Sequence, residues 1–362
     1  MSYPSGGLLM FLSPVYSLRR LAYQGLLAHV EERGTVDIVV EDQPSRVENS
    51  WLVGLKRLRP YWAGLGLAIA LASIACASIL VVIAERSMSP GAIAFNRLLI
   101  AGVVFALWQS CSAQPNEHRS TEPLADQHPN RWRIMGIFVL AGCSFAGSLG
   151  CAAWSLTQTT VANSTLLNNL MPLFTTLGAW LLLGQQFNRR FVIGLAVAIV
   201  GVITIGIQDL HLADEQLTGD AAALLAAIFL AITLLCVERL RIHYSTAATM
   251  AGLSFIGAAF LLPFACLSSD RLFPNTSTCL LAVVALALIS QVVGHGLLTY
   301  SLKSFSSSLV SVFMLAIPVM SSLLAAVLFG QHLGWVNSIA FGIVLIGIYL
   351  AVSGQAISAV QE

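Results

Sequence analysis

The chain has 362 residues, of which 57% are hydrophobic and 10% are charged, and its net charge at pH 7 is +1. Soluble domains carry roughly 25% charged residues, and the mean hydropathy here is strongly positive at +0.82. This composition excludes an ordinary soluble protein and predicts an all-α polytopic membrane protein surrounded by the lipid bilayer. The near-zero net charge gives no sign of a nucleic-acid partner.

Residues 1–60 differ in composition from the rest of the chain. They hold seven Lys or Arg and six Asp or Glu, and their apolar runs are shorter than the roughly 20 residues that a spanning helix needs. Arg19 and Arg20 follow the first apolar run, whereas a secretory signal places its basic residues before that run. We therefore expect a cytoplasmic N-terminal extension.

From residue 61 onward, apolar stretches alternate with short polar breaks. A helix that crosses about 30 Å of hydrocarbon needs about 20 apolar residues, with about 17 as the lower limit, and we predict ten transmembrane helices, of which 191–207 and 221–237 are at that limit. Their ranges are 61–84, 90–110, 134–154, 161–183, 191–207, 221–237, 247–267, 280–302, 309–329 and 335–352.

The charges in the loops predict the orientation, because cytoplasmic loops retain Lys and Arg during insertion. With the N-terminus inside, fifteen of the eighteen Lys and Arg fall on the cytoplasmic side. Arg86 and Arg271 fall outside, and Arg97 lies within a span. We therefore predict a plasma-membrane protein with both termini in the cytoplasm, an outer loop at 208–218 and a short tail at 354–362.

The chain contains an internal repeat with an offset of 146 residues. The matching pairs are Trp154 and Tyr300, Pro172 and Pro318, Gly184 and Gly330, and Gly201 and Gly347. We assign the repeats to 61–207 and 219–353. Five spans is an odd number, so the second repeat must enter the membrane from the opposite side. Inverted repeats of this kind are typical of secondary transporters.

Short motifs from the third span onward recur in the same order in the two halves. The first half has Trp154, Leu170-Met171-Pro172-Leu173 and Leu182-Leu183-Gly184, and the second has Tyr300, Ile317-Pro318-Val319 and Leu328-Phe329-Gly330. The second span adds Asn96-Arg97-Leu98-Leu99, which occurs in the first half. In these motifs, and over about residues 61–352, the sequence resembles the drug/metabolite transporter superfamily, in the group built from two EamA-type domains.

The resemblance implies a ten-helix transporter in which spans one to four and six to nine surround a central cavity. Members of the superfamily carry amino acids, other metabolites, drugs or sugar conjugates. The sequence departs from the family at Gln185 and Gln331, which stand where a glutamate usually follows the glycine that ends the fourth helix of each repeat. A neutral amide can form hydrogen bonds but carries no charge.

Arg97 lies about eight residues into the second predicted span. A charge within hydrocarbon is costly and usually faces a bundle interior or a cavity. Two interpretations stay open for this residue. It is either a cavity cation that binds an anionic group of the substrate, or a structural cation bonded to backbone carbonyls.

Polar residues on the fourth span predict a wall of the cavity. Thr165, Asn168 and Thr175 follow the spacing of one helical face. Asn169 points about 100° away from that face and is expected to contact a neighbouring helix. Interhelical hydrogen bonding is the alternative explanation for the polar face.

Gln291 and His295 lie four residues apart on the eighth span and are further candidates for the cavity. Their counterparts in the first repeat are Phe145 and Leu149, so the two repeats differ in polarity here. Such a difference suits an asymmetric substrate. His295 could exchange a proton near neutral pH, or it could be a neutral hydrogen-bond partner.

Aromatic residues and prolines complete the candidate site. Trp154 and Tyr300 close spans three and eight, where aromatic residues serve either as membrane anchors or as gating and stacking groups. Pro172 and Pro318 each remove a backbone donor, so we predict a kink in spans four and nine.

The sequence lacks the HExxH, GxSxG and GxxxxGK[ST] motifs, and its seven cysteines show no CxxC spacing. We therefore expect no enzymatic activity, no cofactor and no metal site. The predicted function is secondary transport, with export of small metabolites or drug-like compounds by alternating access. An intramembrane enzyme or a membrane sensor without transport is the alternative. The partners considered are a small-molecule substrate, the lipid bilayer and a second copy of the chain in a homodimer.

Overall fold

The computed structural model describes residues 64–112, 131–206, 217–268, 271–329 and 335–358. Within these ranges every regular element is a helix, which confirms the predicted all-α class. The predicted extension 1–60 and most of the predicted loop 208–218 lie outside the described residues. The last helix continues to Ser358, so part of the predicted tail is helical.

We name the helices in chain order and use a and b for the two parts of an interrupted helix. They are α1 (Gly64–Ala84), α2 (Pro90–Ser112), α3 (Arg131–Gln158), α4a (Val161–Asn168), α4b (Met171–Leu183), α5 (Arg189–Gly206), α6 (Leu217–Leu240), α7 (Thr246–Ser268), α8 (Ser277–Ser301), α9a (Ser307–Met314), α9b (Ala316–Phe329) and α10 (Trp335–Ser358). Helix α8 is π-helical over Leu286–His295 and α-helical on either side.

Eight helices in the described ranges are long and apolar enough to cross a membrane, namely α1, α2, α3, α4, α6, α7, α8 and α9. They correspond to eight of the ten predicted spans. The other two predicted spans, 191–207 and 335–352, lie on α5 and α10, and α10 contains the shorter apolar helix Ser338–Gly354. Helix α6 is longer than its predicted span because the backbone hydrogen bonds continue into polar residues at both ends.

Helices α4 and α9 are interrupted at equivalent positions. Each begins at a residue with a hydroxyl side chain, Thr160 or Ser306. The hydroxyl oxygen accepts a hydrogen bond from the backbone N–H three residues later in the chain. Each first part has 8 residues. A proline has no N–H with which to continue a helix, and the breaks fall just before Pro172 and Pro318.

The helix starts show how far the repeat extends. Helices α3, α4a and α5 begin 146 residues before α8, α9a and α10, respectively. Helix α2 begins 156 residues before α7, because the connection 113–130 is ten residues longer than the connection 269–276. The second half therefore repeats the helix order of the first, with a length difference in one connection.

Helices α5 and α10 pack backbone against backbone. A Cβ atom added to Gly347 would lie 2.3 Å from the backbone nitrogen of Ala198, and one added to Gly194 would lie 2.3 Å from that of Ala351. Only glycine permits approaches this close. These two helices share a hydrophobic cluster with α9, whereas the larger cluster draws its buried residues from the helices around the middle of the bundle.

Two hydrogen bonds identify the ends of the bundle. At one end Thr159 Oγ1 donates to Asp220 Oδ1 at 2.7 Å, and at the other Gln185 Nε2 donates to Glu238 Oε1 at 3.1 Å. We call these the Asp220 end and the Glu238 end. Successive helices run in alternate directions, so α1 begins and α10 finishes at the Glu238 end.

Candidate functional site

A cavity of about 530 Å³ lies among α1, α2, α3, α4, α6, α8 and α9, so both halves of the chain contribute to its wall. Its wall includes Ser78, Leu156 and Ser164 near the Asp220 end. Toward the Glu238 end the wall reaches Ser311 and His295, which are still more than one helical turn from that end. The cavity therefore extends from the middle of the bundle toward the Asp220 end.

Arg97 is the one Lys, Arg, Asp or Glu among the described residues that line the cavity. Its side chain is 6% exposed. Its Nε donates to Gln291 Oε1 at 2.9 Å, and its Nη2 donates to Ser290 Oγ at 3.2 Å. An arginine from the first repeat is thus held by two side chains of the second.

His295 lies beside this arginine. Its Nδ1 is 3.0 Å from the carbonyl oxygen of Ser290 and 3.5 Å from Arg97 Nη2. Because a carbonyl can only accept, the shorter distance assigns the ring proton to Nδ1. A cationic imidazole would be repelled by the guanidinium, so the geometry favours the neutral interpretation of His295 over proton exchange.

The π-helical segment of α8 brings these polar groups together. In a π-helix the backbone N–H bonds to the fifth preceding residue, so Ser290 and His295 lie one turn apart. Gln291 was predicted to face the cavity. It is fully buried and does not line the cavity, and its link to the site is the hydrogen bond that it accepts from Arg97. π-helical turns inside α-helices are frequent at functional sites.

The predicted polar face of span four is only partly a cavity wall. Thr165 and Asn168 line the cavity, and so does Asn169, which was expected to face a neighbouring helix. Thr175 is fully buried away from the cavity, and its hydroxyl donates to the carbonyl of Met171 at 3.0 Å. The break between α4a and α4b interrupts the helical register, so Thr175 does not continue the face.

Trp154 and Tyr300 do not line the cavity. Their side chains are 53% and 49% exposed. These positions fit the interpretation as membrane anchors better than a stacking role. Pro172 and Pro318, in contrast, both contribute to the cavity wall beside the helix breaks.

Several serines in the wall were not predicted from the sequence. They are Ser78, Ser148, Ser290, Ser311, Ser321 and Ser322. A serine within a spanning helix can bond to the preceding turn, as Ser322 does with the carbonyl of Pro318 at 2.9 Å. Spacing alone therefore gives no signal for the face on which a serine lies.

Four polar residues join three helices at the Glu238 end. Glu238 accepts from Gln185 Nε2 through Oε1 and from the Ser307 hydroxyl through Oε2, and Ser308 Oγ donates to Gln185 Oε1 at 3.3 Å. We call Gln185, Glu238, Ser307 and Ser308 the Glu238 cluster. It ties the end of α4b to the end of α6 and the start of α9a, on the side that the cavity does not reach.

The Glu238 cluster accounts for one departure from the family pattern. Gln185 donates an amide hydrogen to a carboxylate, whereas an ionised glutamate at that position could only accept. Gln331, the equivalent residue of the second half, lies outside the described residues.

A bundle of apolar helices whose two halves repeat the same helix order and together line a cavity is the arrangement typical of membrane transporters. The model of the EamA-like transporter family matches residues 62–207 and 217–353. These two matches cover more than half of the sequence, and the chain belongs to this family. The resemblance to the drug/metabolite transporter superfamily with a duplicated EamA domain is thereby confirmed.

Individual relatives agree with this assignment. An uncharacterized transporter of Archaeoglobus fulgidus is 22% identical over 283 residues, which is 76% of this chain and 92% of the relative. The uncharacterized transporter YetK of Bacillus subtilis is 25% identical over 224 residues, which is 60% of this chain and 68% of YetK. One crystal structure superimposes with a TM-score of 0.68 at 19% identity, over 82% of this chain and 99% of that chain, and so shares its fold.

Cysteine labelling tests the wall of α4. In a variant without the seven native cysteines, Asn168→Cys is expected to react with a small water-soluble thiol reagent, because Asn168 lines the cavity. Leu173→Cys is the matched control, since Leu173 lies on α4b outside the wall. The measurement is the labelled fraction after a fixed time, with about tenfold more labelling expected at 168, as for a water-filled rather than a lipid-facing position. Equal labelling at both positions would remove Asn168 from the water-filled wall.

Proposed function

We propose that the protein is a secondary transporter that exports small metabolites or drug-like compounds across the plasma membrane by alternating access. Ten helices cross the membrane as two inverted five-helix repeats, and both termini are cytoplasmic. Substrate binds in the cavity between the repeats, where Arg97, Thr165, Asn168 and His295 contribute to the wall.

The cavity is the observation that carries this proposal. Inverted-repeat transporters bind substrate between their repeats, near the bilayer midplane, and this cavity has walls from both halves. It extends toward the Asp220 end, while the Glu238 cluster joins three helices at the other end. A cycle of alternating access requires these two ends to open in turn.

The distribution of cations supports a cytoplasmic Glu238 end. The described Lys and Arg at this end are Arg131, Arg133, Arg189, Arg190, Arg239, Arg241 and Lys303, whereas those at the Asp220 end are Arg86 and Arg271. Cytoplasmic loops are the ones enriched in Lys and Arg. In this orientation the described conformation is outward-facing.

Comparison of metabolites in two compartments tests the transport function. Cells with and without the protein are grown in parallel, and small molecules are measured inside the cells and in the medium. We expect at least one compound to accumulate inside the cells that lack the protein and to decline in their medium. The opposite distribution would indicate uptake. An unchanged distribution, or a change confined to chemically converted products, would contradict transport.

The position of the C-terminus gives a second test. A phosphatase that is active only outside the cytoplasm is expected to be inactive when fused after Glu362, because α10 finishes at the same end as the cation-rich connections. The control is the same enzyme inserted into the loop 208–218, where activity is expected. Phosphatase activity is normalised to the amount of fusion protein. An active C-terminal fusion would overturn the ten-helix arrangement.

A further inference from the structure

The positive charge of Arg97 is not neutralised by any described side chain. The acidic residues in the described ranges are Glu85, Asp220 and Glu238, and all three lie at the ends of the bundle. None of them contacts Arg97, whose described partners are the neutral side chains of α8. A buried charge without a counter-charge is strongly unfavourable. The site therefore favours a ligand that brings one negative charge.

Donors at the site remain available to such a ligand. A guanidinium has five N–H donors, and Nη1 of Arg97 makes no hydrogen bond to any described residue. Gln291 Nε2 is buried and also lacks a hydrogen-bond partner in the described structure. Ser290 and Gln291 hold the guanidinium through Nη2 and Nε, which fixes the plane in which its remaining donors point. A planar acceptor such as a carboxylate matches this geometry.

The rest of the wall near Arg97 is apolar. Phe145, Leu149, Met314 and Ile317 line the same cavity, and no described lining residue could neutralise an additional positive or negative charge on a ligand. A cavity of about 530 Å³ is the size of an ordinary small-molecule site. A ligand with one anionic group and an apolar body would match this wall, since the anionic group could bind Arg97 and the apolar body could contact the apolar residues.

We propose that the substrate is an organic monoanion whose carboxylate binds Arg97 and whose apolar part lies against Phe145 and Leu149. This inference rests on the proposed transport function and specifies its substrate class. Gln291 and Ser290 are positioning residues that orient the guanidinium. A doubly charged anion would leave a surplus negative charge in the cavity, and a neutral analogue would leave Arg97 without a counter-charge.

Binding to the purified full-length protein in lipid nanodiscs tests the substrate class. The probes are hexanoate, benzoate, phenylacetate and indole-3-acetate, each compared with its own amide, which has nearly the same size but no charge. We expect at least one carboxylate to bind at least about tenfold more tightly than its amide, as hydrogen bonds to a charged partner are stronger than neutral ones. Arg97→Gln is expected to abolish the difference, and Arg97→Lys to reduce it.

Two outcomes would overturn the inference. One is equal binding of acid and amide in all four pairs of the wild-type protein, a result that does not depend on whether any variant folds. The other is stabilisation of the protein by chloride, relative to sulfate at the same ionic strength, together with no preference for any carboxylate. In that case Arg97 holds an inorganic counter-ion and not a substrate.

Transport is then measured separately, so that the two proposals can fail independently. The radiolabelled form of the carboxylate that binds is loaded into proteoliposomes. Binding with a preference over the amide, but without movement across the bilayer, would uphold the anion site and contradict the transporter. Movement of a neutral compound that competes with no carboxylate would uphold the transporter and contradict the anion site.

Discussion

Replacing Gln185 with glutamate is expected to open the Glu238 end of the bundle and to make the cavity accessible from that side. The amide of Gln185 donates to Glu238 Oε1 at 3.1 Å, and a glutamate there would place two carboxylates in contact. Like charges about 4 Å apart repel each other by about 1 kcal/mol in water and by about 4 kcal/mol near a protein surface, and a shorter separation increases the repulsion. The measurement is the labelling of Ser311→Cys in inside-out vesicles, compared with and without Gln185→Glu. We expect labelling to rise about tenfold in the presence of Gln185→Glu, because about 1.4 kcal/mol changes an equilibrium by a factor of ten.

Two matched variants isolate the cause of this opening. Gln186→Glu adds the same charge at the next residue, which is exposed and outside the Glu238 cluster, and it is expected to leave labelling unchanged. The double variant Gln185→Glu with Glu238→Gln again pairs one amide with one carboxylate, and should recover most of the protection. Similar labelling in all three variants would show that the Glu238 cluster does not close this end.

Replacing Gly347 with alanine is expected to cause a large loss of folded protein. The added methyl group would lie 2.3 Å from the backbone nitrogen of Ala198 on α5, and backbone atoms cannot move aside as a flexible side chain can. Overpacking of a rigid site costs about 1–3 kcal/mol or more. The expected result is a clear fall in thermal unfolding temperature and in the yield of monodisperse protein.

Gly342→Ala is the control for this change. Gly342 lies on the same helix, and a Cβ added there meets no atom within 4 Å. Alanine is favoured over glycine in helices by up to about 1 kcal/mol, so the control should unfold at the same temperature as the wild type or slightly higher. Equal unfolding temperatures for the two variants would mean that α5 and α10 do not need their close contact.

The class of the protein and its repeat are evident from the sequence because both depend on long-range averages. Hydropathy over about 20 residues marks a spanning helix whatever its neighbours are. The offset between Pro172 and Pro318 recurs in the breaks of α4 and α9. Arg97 could be placed in the bundle interior for a similar reason, since a charge in a spanning helix has few other places to lie.

The contacts within the site depend on three-dimensional details that spacing does not contain. The i, i+4 rule placed Gln291 with His295. The π-helical turn instead puts Ser290 beside His295, and Gln291 contacts Arg97 from outside the cavity wall. The same rule included Thr175 in the cavity wall, because it assumes an uninterrupted helix. The Glu238 cluster joins residues that are 53 and 69 positions apart, so no local pattern could reveal it.

The glycine contact between α5 and α10 has a mechanical consequence. Where backbone touches backbone, no side-chain rotamer at the contact can rearrange to make room, so the close packing restricts sliding of α5 along α10. Helices α4 and α9 have the opposite property, since each already lacks part of its backbone hydrogen bonding in the middle. In the proposed alternating-access cycle, we therefore expect α5 and α10 to stay rigid relative to each other and the bending to be concentrated at the two breaks beside the cavity.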